Sequence, residues 1–220
     1  MKTALIIQSY AGANATVARH WPFYKRSGFE LFGVGRTNTR CEWPEPIPTK
    51  DIGEDSYING DNLPRRLVEC FKWYDQDPIF KDFHTAMVIE YDTIFLRCPP
   101  ILAIGAAAHR AGPNIPPMKA SSFWHNPWWI GKAFVGEFIE KAEALLASGE
   151  NECGHPDFFF GLVWDMVGWK TVPKHLEGTF SRNSLDIPAD RIMARDRIRA
   201  GELWAVHGVK TADQLAEILS

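Results

Sequence analysis

TAMVIEYDTIFLRCPP, residues 85–100, is the stretch on which the fold turns. Thr85 to Ile89 is a short apolar run of strand length, it ends in Glu90-Tyr91-Asp92, and Pro99-Pro100 closes the segment. Such a run, bounded by turn residues, reads as a buried strand. Open α/β sheets bind ligands beyond the carboxyl ends of their strands, and two acids fall there. Two neighbouring carboxylates repel unless a cation or a polar ligand sits between them. A hard divalent ion such as Mg²⁺ or Mn²⁺ takes oxygen ligands of this kind and shares its remaining positions with phosphates. The plainer alternative is a strand end carrying two solvated acids.

Working outward, Ala4 to Ile7 is a second compact apolar run, ending in Gln8-Ser9-Tyr10 and Gly12. From Asn14 the spacing becomes helical, with Val17, Trp21 and Tyr24 on one face and Gly28 closing the segment; Phe29 to Val34 reads as another strand. Strand, helix, strand over about thirty residues opens a βαβ unit with a parallel sheet. Residues 41–60, rich in Pro and acids, read as a surface loop, and a helix follows from Asn62 with Leu67, Val68, Phe71 and Tyr74 inward. AGPNIPP (111–117) reads as a further loop, and helices are expected over 131–148 and 156–167. Leu203 to Val206 is strand-like, and Thr211-Ala212-Asp213-Gln214 matches a capping box opening a last helix. The expectation is α/β: a mostly parallel, Rossmann-like central sheet flanked by helices, in a single domain.

Composition narrows the function. The chain has 220 residues with 45% hydrophobic and 23% charged residues, which excludes wholesale disorder. A net charge of −3 and a pI near 6.2 give no general reason to bind nucleic acid or anionic membrane. The basic run at 191–199 reads as a solvated face. The four cysteines are scattered without paired spacing, so neither a zinc ribbon nor a disulfide framework is expected. No window approaches a membrane span, and the first residues lack the apolar core of a signal peptide; a soluble, cytoplasmic protein is expected. P-loop, GxGxxG, GxSxG and HExxH motifs do not occur. Nine Trp is a high count, three of them in WHNPWW (124–129). Indole suits either a core or the apolar face of a sugar.

Glu90-Tyr91-Asp92-Thr93-Ile94-Phe95, together with His207-Gly208-Val209-Lys210 near the C-terminus, resembles the GT-A glycosyltransferases. That family places a D-x-D motif after an apolar strand; here Glu replaces the first Asp. The resemblance runs along nearly the whole chain in order. It implies that residues 1–100 form a nucleotide-sugar-binding half and 101–220 an acceptor half with a terminal metal and diphosphate motif. It implies Mn²⁺ or Mg²⁺ held by Asp92 and His207, helped by Glu90, with Glu90, Tyr91, Asp92 and Lys210 on the donor diphosphate. Gln8, Ser9 and Tyr10 then hold the nucleotide, Tyr10 by stacking on the base. Asp61, Asn62 and Arg65 are in reach of ribose or phosphate, although Asp61 or Asn62 also serves simply as a helix cap.

Gly154-His155-Pro156-Asp157 falls at a helix start. In inverting members of the family an acid near such a helix deprotonates the acceptor hydroxyl, which makes Asp157 the candidate base. In a retaining enzyme Asp157 would bind acceptor, and without catalysis it would simply favour the helix dipole. His155 and Trp124 are the other acceptor-binding candidates. The implied activity is hexosyl transfer from a UDP- or GDP-sugar to a glycan or other hydroxyl acceptor, with no nucleic acid and no membrane span. Two alternatives stay open. A sugar-phosphate nucleotidyltransferase would usually carry a Gly-rich basic loop after the first strand, where Tyr10 to Thr16 has one Gly and no Lys or Arg. A non-catalytic nucleotide- or sugar-binding protein on the same fold is the other.

Overall fold

The computed structural model describes residues 1–36, 41–52, 62–100, 106–113, 122–149, 156–167, 174–175, 177–181 and 185–220. The strands are β1 (Thr3–Gln8), β2 (Glu30–Gly35), β3 (Thr49–Asp51), β4 (Thr85–Glu90), β5 (Ile94–Phe95), β6 (Ala106–Pro113), β7 (Ser122–Gly131), β8 (Lys174–His175), β9 (Thr179–Ser181) and β10 (Ala205–His207). The helices are α1 (Asn14–Lys25), α2 (Asn62–Gln76), α3 (Lys132–Ser148), α4 (Pro156–Val167), α5 (Pro188–Arg199) and α6 (Ala212–Leu219).

The main sheet has seven strands in the order β3-β2-β1-β4-β7-β6-β8. β3, β2, β1 and β4 pair in parallel, β7 runs antiparallel to both β4 and β6, and β8 is parallel to β6. Only β7 therefore opposes the rest. The mostly parallel α/β expectation holds, and the paired registers of Gln8 with Val34 and with Glu90 bring the carboxyl ends of β1, β2 and β4 to one edge.

Alternation along the strands sorts the core into two layers, as a pleated sheet covered on both faces requires. Ala4, Ile6, Ala86 and Val88 pack with Leu67, Phe71, Phe138 and Phe160 from α2, α3 and α4. Leu5, Ile7, Met87 and Ile89 pack on the opposite face with Val17, Trp21 and Tyr24 of α1. The inward faces expected of α1 and α2 are the buried ones. At α3 the face includes Phe138 and Leu145, while Leu146 is only partly covered.

Two expectations change. The 111–117 loop begins inside β6, which runs to Pro113; residues 114–117 lie outside the described residues. WHNPWW lies in β7, with a cis Asn126–Pro127 bond. Trp128 and Trp129 are 1% and 0% exposed, one in each core layer, so both are packing residues. The 41–60 segment carries the short strand β3, whereas 53–60 lies outside the described residues.

A second sheet, β5-β10-β9, positions the terminal motif. It forms a third core cluster with Ala194 of α5 and Ile218 of α6. The capping box at Thr211 and Gln214 is formed as expected. None of the described helices is long and apolar enough to cross a membrane.

Candidate metal and nucleotide site

Two strands separated by most of the chain build the acid cluster. β4 ends at Glu90, Thr93 N–H donates to Glu90 O to close a turn, and β5 follows immediately. β5 pairs antiparallel with β10 in the register Phe95–Ala205 and Ile94–Val206. Continuing that register sets the next residue of β10, His207, beside the turn that holds Asp92. Gly208 then adopts φ +94, a left-handed conformation that glycine takes without a Cβ clash, and Val209 N–H donates to Asp92 O at 2.9 Å.

His207 Nε2 lies 2.8 Å from Glu90 Oε2 and 3.2 Å from Asp92 Oδ1. On the other side of the ring, Nδ1 is 2.9 Å from Ser181 Oγ. One potential ligand atom from each of Glu90, Asp92 and His207 lies within 4.8 Å of the others. Asp92 Oδ1 is buried, and among the described residues no hydrogen bond is donated to it. His207, 3.2 Å away, is the cationic partner that faces it. A buried carboxylate oxygen with no donor, facing a second carboxylate and an imidazole, is a donor set suited to a divalent cation.

The electrostatics agree. Burial is the largest influence on His207 and pulls its pKa down, yet Asp92 and Glu90 together outweigh it and hold the imidazolium well above the ordinary value. Burial likewise pushes Asp92 up, but His207 and then Lys210 bring it below its usual value. In the metal-free protein the His207 proton thus supplies positive charge between the acids.

The turn is braced from below by α1. Tyr24 Oη donates to Tyr91 O at 2.5 Å, and His20 Nδ1 lies 3.2 Å from the same oxygen. Burial, chiefly, lowers the His20 pKa to about 4, so this ring is neutral near pH 7 and Nδ1 is its N–H donor to Tyr91 O. From β7, Asn126 Nδ2 donates to Thr93 Oγ1 at 2.9 Å. Lys210 is exposed, and its carbonyl accepts from Thr16 Oγ1 and Arg19 Nη1.

Beside the acids, Gln8, Ser9 and Tyr10 line a small cleft with Glu90 and Tyr91. Two further lining residues, Arg36 and Arg66, are only 4% and 6% exposed. Arg36 was given no role in the sequence, and Arg65 was expected in place of Arg66. The helix turns Arg65 outward into a groove between α2 and α3, while Arg66 reaches back to Ser9 O. Nothing in the sequence separates Arg66 from Arg65 until the packing of α2 is known.

The remaining expectations are only partly placed. Trp124 belongs to β7 and Asp157 to the first turn of α4, but both side chains lie outside the described residues. Asn62 is the first residue of α2, with its side chain likewise outside; His155 and Asp61 lie wholly outside the described residues. The sequence matches no protein-family profile and no curated protein.

Proposed function

We propose that this chain is a GT-A-like glycosyltransferase that moves a sugar from a nucleoside-diphosphate donor to a hydroxyl acceptor with the help of Mn²⁺ or Mg²⁺. One observation carries the reading: Glu90, Asp92 and His207 converge at the carboxyl edge of the parallel strands, next to the cleft formed by Gln8, Ser9 and Tyr10. Asp92, His207 and Glu90 would hold the ion. When bound, it supplies positive charge against the leaving diphosphate. Lys210, whose charge is felt at Asp92, adds a second cation toward the same group. The turn from Glu90 to Thr93 keeps the carboxylates in place, because its carbonyls are tied to α1 and to Val209.

Asp157 remains our choice of general base for an inverting reaction, on its position in the first turn of α4, which packs on β7. Trp124 and His155 are assigned to the acceptor side, consistent with the division into a donor half and an acceptor half. We propose a cytoplasmic location, on the scattered spacing of the four cysteines in the sequence.

The nucleotidyltransferase alternative draws no support from the β1 loop, where a single 3-10 turn at Ala11–Ala13 leads directly into α1. The test is calorimetry with UDP and GDP, with and without Mn²⁺. Metal-dependent binding of a nucleoside diphosphate followed by sugar transfer supports an enzyme. Binding without transfer to any hydroxyl acceptor supports the non-catalytic reading.

A further inference from the structure

We infer that Asn126, acting through Thr93, is a positioning residue for the cation held by Glu90, Asp92 and His207. The inference rests on the metal reading of that cluster and deepens it, by extending the site to β7, a strand outside the donor set.

Glu90 and Asp92 sit two residues apart on the turn that leaves β4, so the placing of their carboxylates follows the backbone of residues 90–93. α1 holds that backbone at Tyr91 O, through Tyr24 and His20. The segment after β10 holds it at Asp92 O, through Val209 N–H. Two anchors leave a short segment free to rock about the line between them, and a third from another element opposes that motion. β7 supplies the third: Asn126 Nδ2 donates to Thr93 Oγ1 at 2.9 Å. β7 pairs with β4 as far as Val88–Trp128, which brings Asn126, two residues further along, to the turn. The bond acts on the residue that closes the turn, since Thr93 N–H donates to Glu90 O at 3.1 Å.

The pair is an odd choice for packing alone. Asn126 is 1% exposed and Thr93 fully buried, and the neighbouring Trp128, Trp129 and Ile130 of β7 are core residues. Asn126 Oδ1 is buried, and among the described residues no donor meets it. A buried amide left half-satisfied costs stability, and an apolar pair of similar shape would fill the same space without that cost. Packing thus gives no reason for an amide and a hydroxyl here, whereas a directional bond onto the ligand-bearing turn does. Bonds of this kind, one step removed from the metal, orient the ligands, and their loss typically costs about 10–100-fold in affinity.

The experiment titrates Mn²⁺ alone into nucleotide-free protein by calorimetry at one pH, with a metal-free thermal melt of each variant as the check of folding. Thr93→Val keeps the shape and removes the acceptor, Thr93→Ser keeps the hydroxyl, and Asn126→Ala removes the donor. Thr93→Val and Asn126→Ala should each weaken Mn²⁺ by at least about tenfold, and Thr93→Ser should stay within about threefold of wild type. Because one bond is broken in either case, the double variant should lose about as much as the worse single one. A smaller loss in Thr93→Val, a Thr93→Ser variant as weak as Thr93→Val, or losses that multiply in the double variant would overturn the inference. So would a loss confined to variants already melting at the titration temperature, or failure of both Thr93→Val and Asn126→Ala to fold, since the pair would then serve the fold alone. Tight Mn²⁺ binding that is lost in Asp92→Asn but indifferent to Thr93 and Asn126 sinks the inference and leaves the metal site standing. No Mn²⁺ binding by the wild-type protein sinks both.

Discussion

His207 Nε2 lies 2.8 Å from Glu90 Oε2 across 117 residues of chain. The contact joins the end of a central parallel strand to a small second sheet, and it holds an ionisable ring against two carboxylates. Because an imidazole must be neutral to bind a metal, proton and metal compete for this ring. Affinity for Mn²⁺ should therefore rise with pH through the raised His207 value, and His207→Gln should weaken it by about a hundredfold. Titration with Mn²⁺ at several pH values checks both; a flat pH profile would argue that His207 is not a ligand.

Ser181 is a positioning residue for the same ring. Its hydroxyl is 2.9 Å from His207 Nδ1, the atom opposite the nitrogen that faces Glu90 and Asp92. Partners of this kind fix tautomer and orientation, and their loss typically costs about 10–100-fold in metal affinity. Ser181→Ala should fall in that range with little change in overall stability, as followed by metal titration beside a thermal melt.

His20 sets an acid limit on stability. Its folded pKa, about 4, lies below the ordinary 6.5, so the unfolded chain takes up a proton first as pH falls. Its contribution is complete above about 6.5 and is lost between there and about 4, amounting to roughly 3 kcal/mol. His207 has the opposite sign: its contribution is full below about 6.5 and lost as pH rises through its raised value. Urea unfolding of the metal-free protein should thus show a decline from pH 6.5 to 4 that is much smaller in His20→Asn.

The phenol of Tyr24 donates to Tyr91 O between the two acids. Tyr24→Phe keeps the ring in the core and removes the hydrogen bond, costing about 1 kcal/mol. Since that carbonyl, then held by His20 alone, lies between Glu90 and Asp92, Mn²⁺ affinity should drop as well. A stability loss without any change in metal binding would make Tyr24 a core residue only.

Much of this was legible in the sequence because local pattern and tertiary demand coincide there. The runs at β1 and β4 are uniformly apolar, as strands buried on both faces must be, and the Thr211–Gln214 box is a local hydrogen-bond device. β6 and β7 were not legible. AAAHRAGP has little intrinsic strand preference, and Pro127 within SFWHNPWWIG argues against a central strand. Pairing of β7 with β4 and β6, and burial of Trp128 and Trp129, override those signals. At the site, the acids, the histidine and the β1 end could be picked out by type and position. Arg66 could not, since a buried arginine looks like any exposed one until the packing of its helix is known.

Calorimetry with UDP and GDP, each with and without Mn²⁺, on wild type and Asp92→Asn tests the central claim most directly. The amide is close in size to the carboxyl and removes the charge, so folding can be verified alongside. Metal-dependent binding of at least one nucleotide, lost or weakened by about a hundredfold in the variant, is the predicted result. Binding that is absent under every condition, or that ignores both the metal and Asp92, would contradict it.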